Sequence, residues 1–399
     1  MKLVLLLLAA PVWAQQGKPP QAQRKVDQKK VDAAIAKGVA YLKTQLPKLP
    51  QHNGCTTEEL VLWTFVHANV PKDNPDFVKL FKGMMERPLV ATYSVSLQAL
   101  ILEELDRVAY QRRLAQCAKF LADTQCVNGQ WTYGGPMDNA DPVPTARPPV
   151  TTPRSERPVA TRSKGVVDFD APPDPRSKPK VVTYLSVKKT LESFPSGDNS
   201  NTQYAALGIR ACHEAGIIFP REVLERARKW WLDSQHSGGK GGGVATGTGA
   251  ESRGWSYHQE AGEHAYGSMT AGAVGSLCIY DAILGIKSKD DKAIQSGLAW
   301  LAKNFSVTEN VANGPQHHHY YLYALERAGI LAETEFFGTH EWYPEGAQEL
   351  LKTQRPDGSW GGSWNDVTDT CFAILFLRRA TRRLTDVASV DRFHAPKKE

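Results

Sequence analysis

Two kinds of helical segment alternate along the chain. The first kind is amphipathic, with apolar residues at i, i+3 and i+4, and it ends in a recurring phrase such as Tyr-Leu-Lys-Thr-Gln. Copies of this phrase occupy residues 41–45, 120–125, 231–235, 300–304 and 350–354. The second kind is apolar on most faces, which predicts burial on most faces. Segments of this kind run over residues 59–68, 92–105, 202–215, 270–284, 319–331 and 370–379.

This alternation predicts six helical hairpins. One hairpin leaves its apolar face uncovered, whereas a row of hairpins covers it, and six hairpins that curve consistently return to the start. We therefore predict an all-α fold, an α6/α6 toroid with an inner ring of apolar helices and an outer ring of amphipathic ones. A single toroid domain is expected over residues 31–385. The alternative is an open superhelix, and the irregular repeat lengths argue against it.

Two insertions interrupt the helical pattern. Residues 136–180 are dense in Pro, Arg, Ser and Thr, a composition that predicts a disordered insertion. Residues 236–267 are rich in glycine and include Trp255, Tyr257 and two histidines, and we predict a flexible flap near the mouth of the ring. The glycine run at 238–243 contains a lysine but lacks the Ser or Thr that a phosphate loop requires after it.

The N-terminus has the pattern of a secretory signal peptide. Lys2 precedes an apolar run, and Ala14 ends an A-x-A-like cleavage site, which predicts a signal peptide over residues 1–14. The run is shorter than the roughly 20 residues of a membrane-spanning helix, and no later segment predicts a span. We expect export to the periplasm or the medium, a flexible lead-in over 15–30 and a tail over 386–399.

The charge distribution bears on the class of binding partner, and the cysteine spacing bears on disulfide formation. The net charge is +6, and the basic residues are spread through the chain without a basic face interleaved with aromatics, which argues against nucleic acid as a partner. A small molecule or a protein remains. The six cysteines form no CxxC motif, so we expect most to be buried thiols, with Cys117 and Cys126 as the one local pair.

The pattern Gln-x-x-x-Gly-x-Trp occurs twice in full after amphipathic helices. The residues are Gln125, Gly129 and Trp131, then Gln354, Gly358 and Trp360. A third copy keeps Gln235 and Gly239 but has Gly241 in place of Trp. The pattern resembles the QW motif of the squalene-hopene cyclase and prenyltransferase β-subunit superfamily, and the chain from residue 198 onward looks like bacterial exported proteins with such repeats. The resemblance implies a toroid in which these residues join neighbouring outer helices.

Toroids of this type bind ligands at the N-terminal ends of the inner helices, where free N–H groups suit polar or anionic groups. The candidate residues for such a mouth are Asp198, Asn199, Asn201, Gln203, His317, His319, Tyr320, Asp366 and Asp369. Thr202, Ser268, Thr270, His318 and Thr370 belong to the same helix starts. Helix capping explains each of the polar ones singly. Their convergence on one mouth would favour binding.

Members of the families that the sequence resembles carry out specific reactions, but this chain lacks the motif residues that those reactions need. Hopene-type cyclases protonate an alkene through the middle Asp of D-x-D-D-T-A, and here the segment 366–371 has Thr368 at that position. A Thr hydroxyl is not acidic enough for this step, so a cyclase is disfavoured. The C-G-E-Q motif of thioester proteins does not occur in the sequence.

Prenyltransferase β-subunits bind zinc through D-x-C and a later His. Here Asp369 and Cys371 follow His319, so the order is reversed. We expect no cofactor, with a zinc-dependent, prenyltransferase-like site formed by these three residues as the alternative.

A carbohydrate-active enzyme is a further alternative. It would use a pair of carboxylates from Asp198, Glu263, Asp366 and Asp369, with Trp255 and Tyr257 as a stacking platform. The sequence as a whole favours an exported ring that binds a small molecule or a protein through its central cavity without cyclase activity. The alternative is an enzyme that acts on a lipid, an isoprenoid or a glycan in the same cavity.

Overall fold

The structure is a computed structural model that describes residues 26–384 except 50, 53–54, 135–180, 182, 237–250, 259 and 261. The predicted signal peptide, the Pro-rich insertion at 136–180 and the tail at 386–399 lie outside the described residues. The predicted lead-in is described only from residue 26.

The described part of the chain forms twelve α-helices in two sets. The inner helices are α2 (Glu58–His67), α4 (Thr92–Asp106), α6 (Asn199–Glu214), α8 (Gly267–Leu284), α10 (His318–Leu331) and α12 (Asp366–Arg378). The outer helices are α1 (Gln28–Gln45), α3 (Pro75–Glu86), α5 (Gln111–Asp123), α7 (Arg221–Asp233), α9 (Lys292–Lys303) and α11 (Trp342–Thr353).

The inner helices form a closed ring. Each contacts the next in chain order from α2 to α12, and α12 contacts α2. The outer helices pack against them from outside: α5 contacts α4 and α6, α11 contacts α10 and α12, and α1 contacts α11 and α12. The predicted all-α toroid of six hairpins is confirmed.

The helix ends follow ordinary capping chemistry. Asp27, Asn74, Asp198, Asp291 and Asn365 each accept a hydrogen bond from a backbone N–H in the first turn of the helix that follows. These caps satisfy N–H groups that have no partner within the helix.

Three short strand pairs connect helices. They are β1 (Gln51–His52) with β2 (Cys55–Thr56), β3 (Leu185–Ser186) with β4 (Ile217–Ile218), and β5 (Phe336–Phe337) with β6 (His340–Glu341). The β3–β4 pair is parallel and the other two are antiparallel.

The helix α8 is long and apolar enough to cross a membrane by length and composition, alone among the described helices. However, 83% of its apolar window is buried within the ring, where it contacts α6, α7, α9 and α10. Burial on nearly all faces explains its apolar composition, as expected of an inner helix.

The segment after α12 crosses the end of the ring where the inner helices finish. Thr381 donates to Glu326 of α10 from its backbone N–H at 3.0 Å and from its hydroxyl at 2.7 Å. Arg382 pairs with Glu104 of α4, and the Arg383 carbonyl accepts from Arg210 of α6. This segment covers one face of the ring, so access to the axis lies at the opposite face, where the inner helices begin.

Aromatic side chains fill the axis of the ring. Tyr204 of α6 stacks with Tyr320 of α10 at a centroid distance of 6.2 Å, and Tyr320 packs edge-on against Phe372 of α12 at 5.4 Å. Trp63 of α2 donates from its indole N–H to the Tyr323 hydroxyl at 3.1 Å. The predicted central cavity is therefore largely occupied by side chains at this level.

The five cysteines whose side chains are described are all buried and free. The expected pair of Cys117 and Cys126 is not formed, because both thiols are separately buried in the core. Burial raises the pKa of Cys117 to about 12 and that of Cys126 to about 11. Such thiols behave as small apolar groups.

Candidate functional site

Three tryptophans fix the starts of three inner helices. The indole N–H groups of Trp131, Trp255 and Trp360 each donate at 2.8 Å to a carbonyl in the last turn of the preceding outer helix. All three rings are fully buried. The tryptophan segment therefore lies against the end of the outer helix that it follows.

The backbone N–H groups of the same tryptophans reach the inner ring. They donate to the hydroxyls of Thr202, Thr270 and Thr370, at 3.1, 3.1 and 2.9 Å respectively. Because these hydroxyls are used by the scaffold, the three threonines are not available at the mouth as the sequence suggested.

Trp255 corrects the sequence prediction. We predicted it within a flexible flap and as a stacking platform, and predicted Gly241 at the Trp position of the third copy. The structure instead buries Trp255 in that position, with Gln235 donating to the Arg253 carbonyl at 3.2 Å. Gly239 and Gly241 lie outside the described residues. Trp255 is therefore part of the scaffold.

The glutamine of each copy joins two outer helices. The side-chain amide of Gln125 donates to the Val223 carbonyl of α7 at 2.9 Å, and that of Gln235 donates to the Ala293 carbonyl of α9 at 3.0 Å. Gln354 makes the equivalent bond to Ala34 of α1 at 2.8 Å. These hydrogen bonds support the prediction that the motif residues join neighbouring outer helices.

The glycines of the two full copies are required by geometry. Gly129 and Gly358 have φ angles of 99° and 91°. A Cβ atom at Gly129 would lie 2.4 Å from the Arg226 carbonyl oxygen, and one at Gly358 would lie 2.5 Å from the Lys37 carbonyl oxygen. Glycine alone adopts this conformation without strain and allows this close approach.

At the start of α6, Asp198 is a buried acid. Its carboxylate accepts from the backbone N–H and the side-chain amide of Asn201, both at 2.8 Å. Burial raises the pKa of Asp198 above its ordinary value, although hydrogen bonds from Asn201 and Tyr257 act in the opposite direction. Asp198 is thus both a helix cap and an acid close to the mouth.

Asn199 and Gln203 are used within the scaffold. Asn199 accepts from the Trp230 indole N–H at 2.7 Å and donates to the Ser256 carbonyl at 2.9 Å. Gln203 accepts from Arg327 at 2.8 Å, deeper in the ring. The structure therefore removes both residues from the predicted set at the mouth.

A chain of largely buried hydroxyls joins the first turns of α4, α6 and α10. Ser200 of α6 shares hydrogen bonds with Tyr93 of α4 and, at 2.6 Å, with Tyr320 of α10. Burial raises the pKa of Tyr320 to about 12, so its hydroxyl stays protonated at neutral pH. Beside them, the hydroxyls of Tyr133 and Tyr257 lie 3.0 Å apart, and Tyr133 is 38% exposed.

Tyr93, Tyr133 and Ser200 were missed in the sequence. Tyr93 is the second residue of α4, so the same rule that selected Tyr320 would have selected it. Ser200 lies among the predicted residues of the α6 start but was not chosen.

His319 and Asp369 form a buried pair between α10 and α12. The Nδ1 atom of His319 lies 3.1 Å from Oδ1 of Asp369, and both side chains are at least 95% buried. The second carboxylate oxygen of Asp369, Oδ2, has no hydrogen-bond partner. Asp369 is not a helix cap, because Asn365 caps α12 by accepting from the Thr368 N–H at 2.9 Å.

The two histidines before His319 have other contacts. His317 donates its backbone N–H to the Ser363 hydroxyl at 2.6 Å, and its ring packs edge-on against Trp364 at the open face. His318 contacts the Val307 carbonyl, and burial lowers its pKa to about 4. His318 is therefore neutral at physiological pH.

His319, Asp369 and Cys371, the proposed zinc ligands, do not form a metal site, and Asp366 does not join them. Within the described residues, no group of three or more His, Cys, Asp and Glu side chains is placed to hold a metal ion. Cys371 is fully buried and hydrogen-bonds with Thr64. Asp366 pairs with Arg355 at 2.7 Å, at an exposed position.

An outer cleft of about 590 Å³ lies between α7 and α9, away from the mouth. Arg228 in this cleft pairs with Asp281 at 2.6 Å and with Asp291. Its neighbour Arg253 donates to the His236 carbonyl. Because these charges already have partners, we place the candidate site at the mouth of the ring instead.

A scan of the sequence against protein-family models gives no match, and a search of curated proteins gives none either. Among solved structures, the chain is similar to a possible member of the GH105 family from Salmonella enterica serovar Paratyphi A. The TM-score is 0.48 and the sequence identity is 12%, over 93% of this chain and 98% of that one. We base neither the fold nor the function on this similarity.

Proposed function

We propose that the protein binds a small, hydroxyl-rich ligand of the saccharide class at the open face of the ring. The observation that carries this proposal is the chain of hydroxyls from Tyr93 through Ser200 to Tyr320, with Asp198 and the pair of His319 and Asp369 nearby. Ligand sites typically combine aromatic walls with a few well-placed polar groups. A ligand with many hydroxyls matches such a surface.

The character of the mouth argues against an isoprenoid or lipid ligand. A long hydrocarbon would require an apolar wall, whereas the open face carries tyrosine hydroxyls, a buried carboxyl group and an imidazole. Tyr133 and Trp364 offer partly exposed ring faces for a sugar ring to stack against. The Thr368 substitution at the proton-donor position also speaks against cyclase chemistry in the family that the sequence resembles.

The proposal is tested by screening the full mature chain on a glycan array and measuring each hit by calorimetry. We expect binding of at least one oligosaccharide, with a loss of tenfold or more in Tyr133→Ala. Phe194→Ala is the matched control, because Phe194 is 47% exposed and its carbonyl accepts from Val127 in the loop after α5. Absence of any saccharide hit, or equal loss in both variants, would contradict the proposal.

The pair of His319 and Asp369 supports a second candidate, acid–base catalysis on the same ligand. A buried carboxylate that contacts Nδ1 orients an imidazole and leaves Nε2 to exchange a proton with a substrate. We would test this by incubating array hits with the protein and analysing products by mass spectrometry. His319→Gln should abolish any turnover. Turnover that survives this change would refute the role of His319.

Export and the absence of a cofactor are also proposals. Export rests on the predicted signal peptide at 1–14, and N-terminal sequencing of protein recovered outside the cytoplasm should begin near Gln15. A mature protein that retains Met1 would contradict export. Elemental analysis of the purified protein tests the metal: zinc bound at one ion per chain would favour the zinc alternative.

A further inference from the structure

Arg327 is a buried cation on α10, about two helical turns below Tyr320. Its side chain lies deep in the ring and the residue is 2% exposed. Among the described residues, no carboxylate forms an ion pair with its guanidinium. The adjacent Glu326 is instead bonded twice to Thr381.

In the described part of the chain, Arg327 is held by one side-chain amide and two aromatic rings and not by a paired carboxylate. One guanidinium nitrogen, Nη2, donates to Oε1 of Gln203 at 2.8 Å. The guanidinium also lies over the ring of Tyr323, 4.2 Å from its centroid, and at 5.6 Å from that of Tyr204. Cation–π contacts are weaker than an ion pair in the same setting, and an unpaired buried ion is strongly unfavourable.

Three buried polar atoms on these contacting side chains make no hydrogen bond of normal geometry, although the Tyr204 hydroxyl lies beside the Arg327 guanidinium. They are Nη1 of Arg327, Nε2 of Gln203 and the hydroxyl oxygen of Tyr204. Each belongs to a residue that is at least 98% buried. All three groups can donate, and the acceptor of Gln203 is already taken by Arg327. A surplus of donors around a positive charge is the chemistry of an anion site.

The neighbouring helix is shaped to keep Gln203 in this place. A Cβ atom at Gly272 of α8 would lie 2.4 Å from Oε1 of Gln203 and 2.7 Å from its Nε2. Any side chain there would push the amide away from Arg327. The glycine thus keeps the Gln203 amide in contact with the guanidinium.

We propose that Arg327, Gln203 and Tyr204 bind a small inorganic anion of halide size inside the ring. The stacked rings of Tyr204 and Tyr320 separate this region from the mouth, and the segment around Thr381 covers the opposite end. This enclosure selects a monatomic anion over an organic carboxylate. The inference is independent of saccharide binding at the open face.

Chloride is the probe for this site. Thermal unfolding of the full chain would be followed at constant ionic strength while sodium chloride replaces sodium gluconate, whose anion is too large to enter. Once the site is mostly occupied, a bound anion should raise the midpoint by about 2 °C for each tenfold increase in chloride. Arg327→Met should lose this dependence. Arg221→Met is the control and should keep it, because Arg221 forms an exposed i,i+4 pair with Glu225.

A second measurement decides the question if Arg327→Met does not fold. Wild-type crystals grown in bromide should give an anomalous peak beside the guanidinium of Arg327. Crystals that show no such peak would overturn the proposal. Equal midpoints in chloride and gluconate, or a chloride effect that persists in folded Arg327→Met, would also overturn it.

Discussion

The side-chain amide of Gln354 donates to the backbone carbonyl of Ala34 at 2.8 Å, across 320 positions of sequence. This bond joins the segment after α11 to α1 and so links the last outer helix to the first. The same kind of bond joins α5 to α7 through Gln125 and α7 to α9 through Gln235. The same glutamine hydrogen bond therefore joins outer helices within the ring and also joins the last outer helix to the first.

Replacing Trp360 with Ala should lower the free energy of unfolding by about 3–5 kcal/mol, as for other large core truncations. The ring is fully buried and its N–H group donates to the Leu350 carbonyl. Urea titration followed by circular dichroism measures the effect. Trp364→Ala is the control, since Trp364 is only partly buried and should cost much less. A near-neutral Trp360→Ala would contradict the packing role.

Asp369→Asn should weaken binding of a saccharide ligand by about tenfold or more, because Asn carries no charge to hold the His319 imidazole in its present orientation. The free energy of unfolding should fall by only about 1 kcal/mol, because the amide oxygen of Asn can still accept from His319 Nδ1 and only the charge-assisted part of the hydrogen bond is lost. Calorimetric titration and chemical unfolding measure the two effects.

Asn365→Ala serves as the control for Asp369→Asn, because Asn365 is the true cap of α12. It should cost about 1 kcal/mol of stability and leave the affinity unchanged. If both variants lose stability alike and Asp369→Asn binds normally, Asp369 has a structural role alone.

Glu326 should make stability depend on pH. Burial raises its pKa to about 7, from an ordinary value near 4.5. The folded protein therefore binds the proton more tightly than the unfolded chain does. The contribution of Glu326 is complete below pH 4.5 and falls by about 3 kcal/mol as the pH rises to 7.

Comparing wild type with Glu326→Gln isolates this effect. Gln does not titrate, so its stability relative to wild type should increase between pH 4.5 and 7. Urea unfolding midpoints at several pH values provide the measurement. Parallel pH curves for the two proteins would show that Glu326 does not titrate in this range.

Gly272→Ala should destabilise the protein by about 1–3 kcal/mol through overpacking, despite the better helix propensity of Ala. The new methyl group would collide with the Gln203 amide. The loss should shrink in the Gln203→Ala background, so a double-mutant cycle measures the coupling. Gly275→Ala is the control, because the only atom near its Cβ position is the tip of Leu331 at 3.3 Å. Purely additive effects of the two changes would contradict the proposed clash.

The sequence predicted the ring because each helix carries its own periodic pattern. The scaffold role of Trp360 was also predictable, since its motif is contiguous. Trp255 was not, because residues inserted after Gln235 separate it from its glutamine and remove the spacing that identified the other copies.

The sequence could not predict which residues meet at the mouth, because that depends on how the helices pack in three dimensions. Tyr93 and Tyr320 meet through Ser200 only because the ring curves and brings α4, α6 and α10 together. Which polar residues face the scaffold also depends on side-chain direction: Asn199 bonds to the outer helix α7, while Ser200, one position later, faces the axis. Sequence spacing selected the helix starts but not the face of each residue.

Closure of the ring is the claim on which the mouth depends, and a pair of spin labels tests it most directly. Labels at exposed positions Ala40 of α1 and Gln348 of α11, in a Cys55→Ser background, lie on contacting helices, whose axes are typically about 10 Å apart. A second pair at Ala40 and Glu225 of α7 reports a distance between helices that do not adjoin in the outer ring. A closed ring gives a short distance for the first pair and a clearly longer one for the second. A first distance as long as the second would mean an open spiral and would contradict both the ring and its mouth.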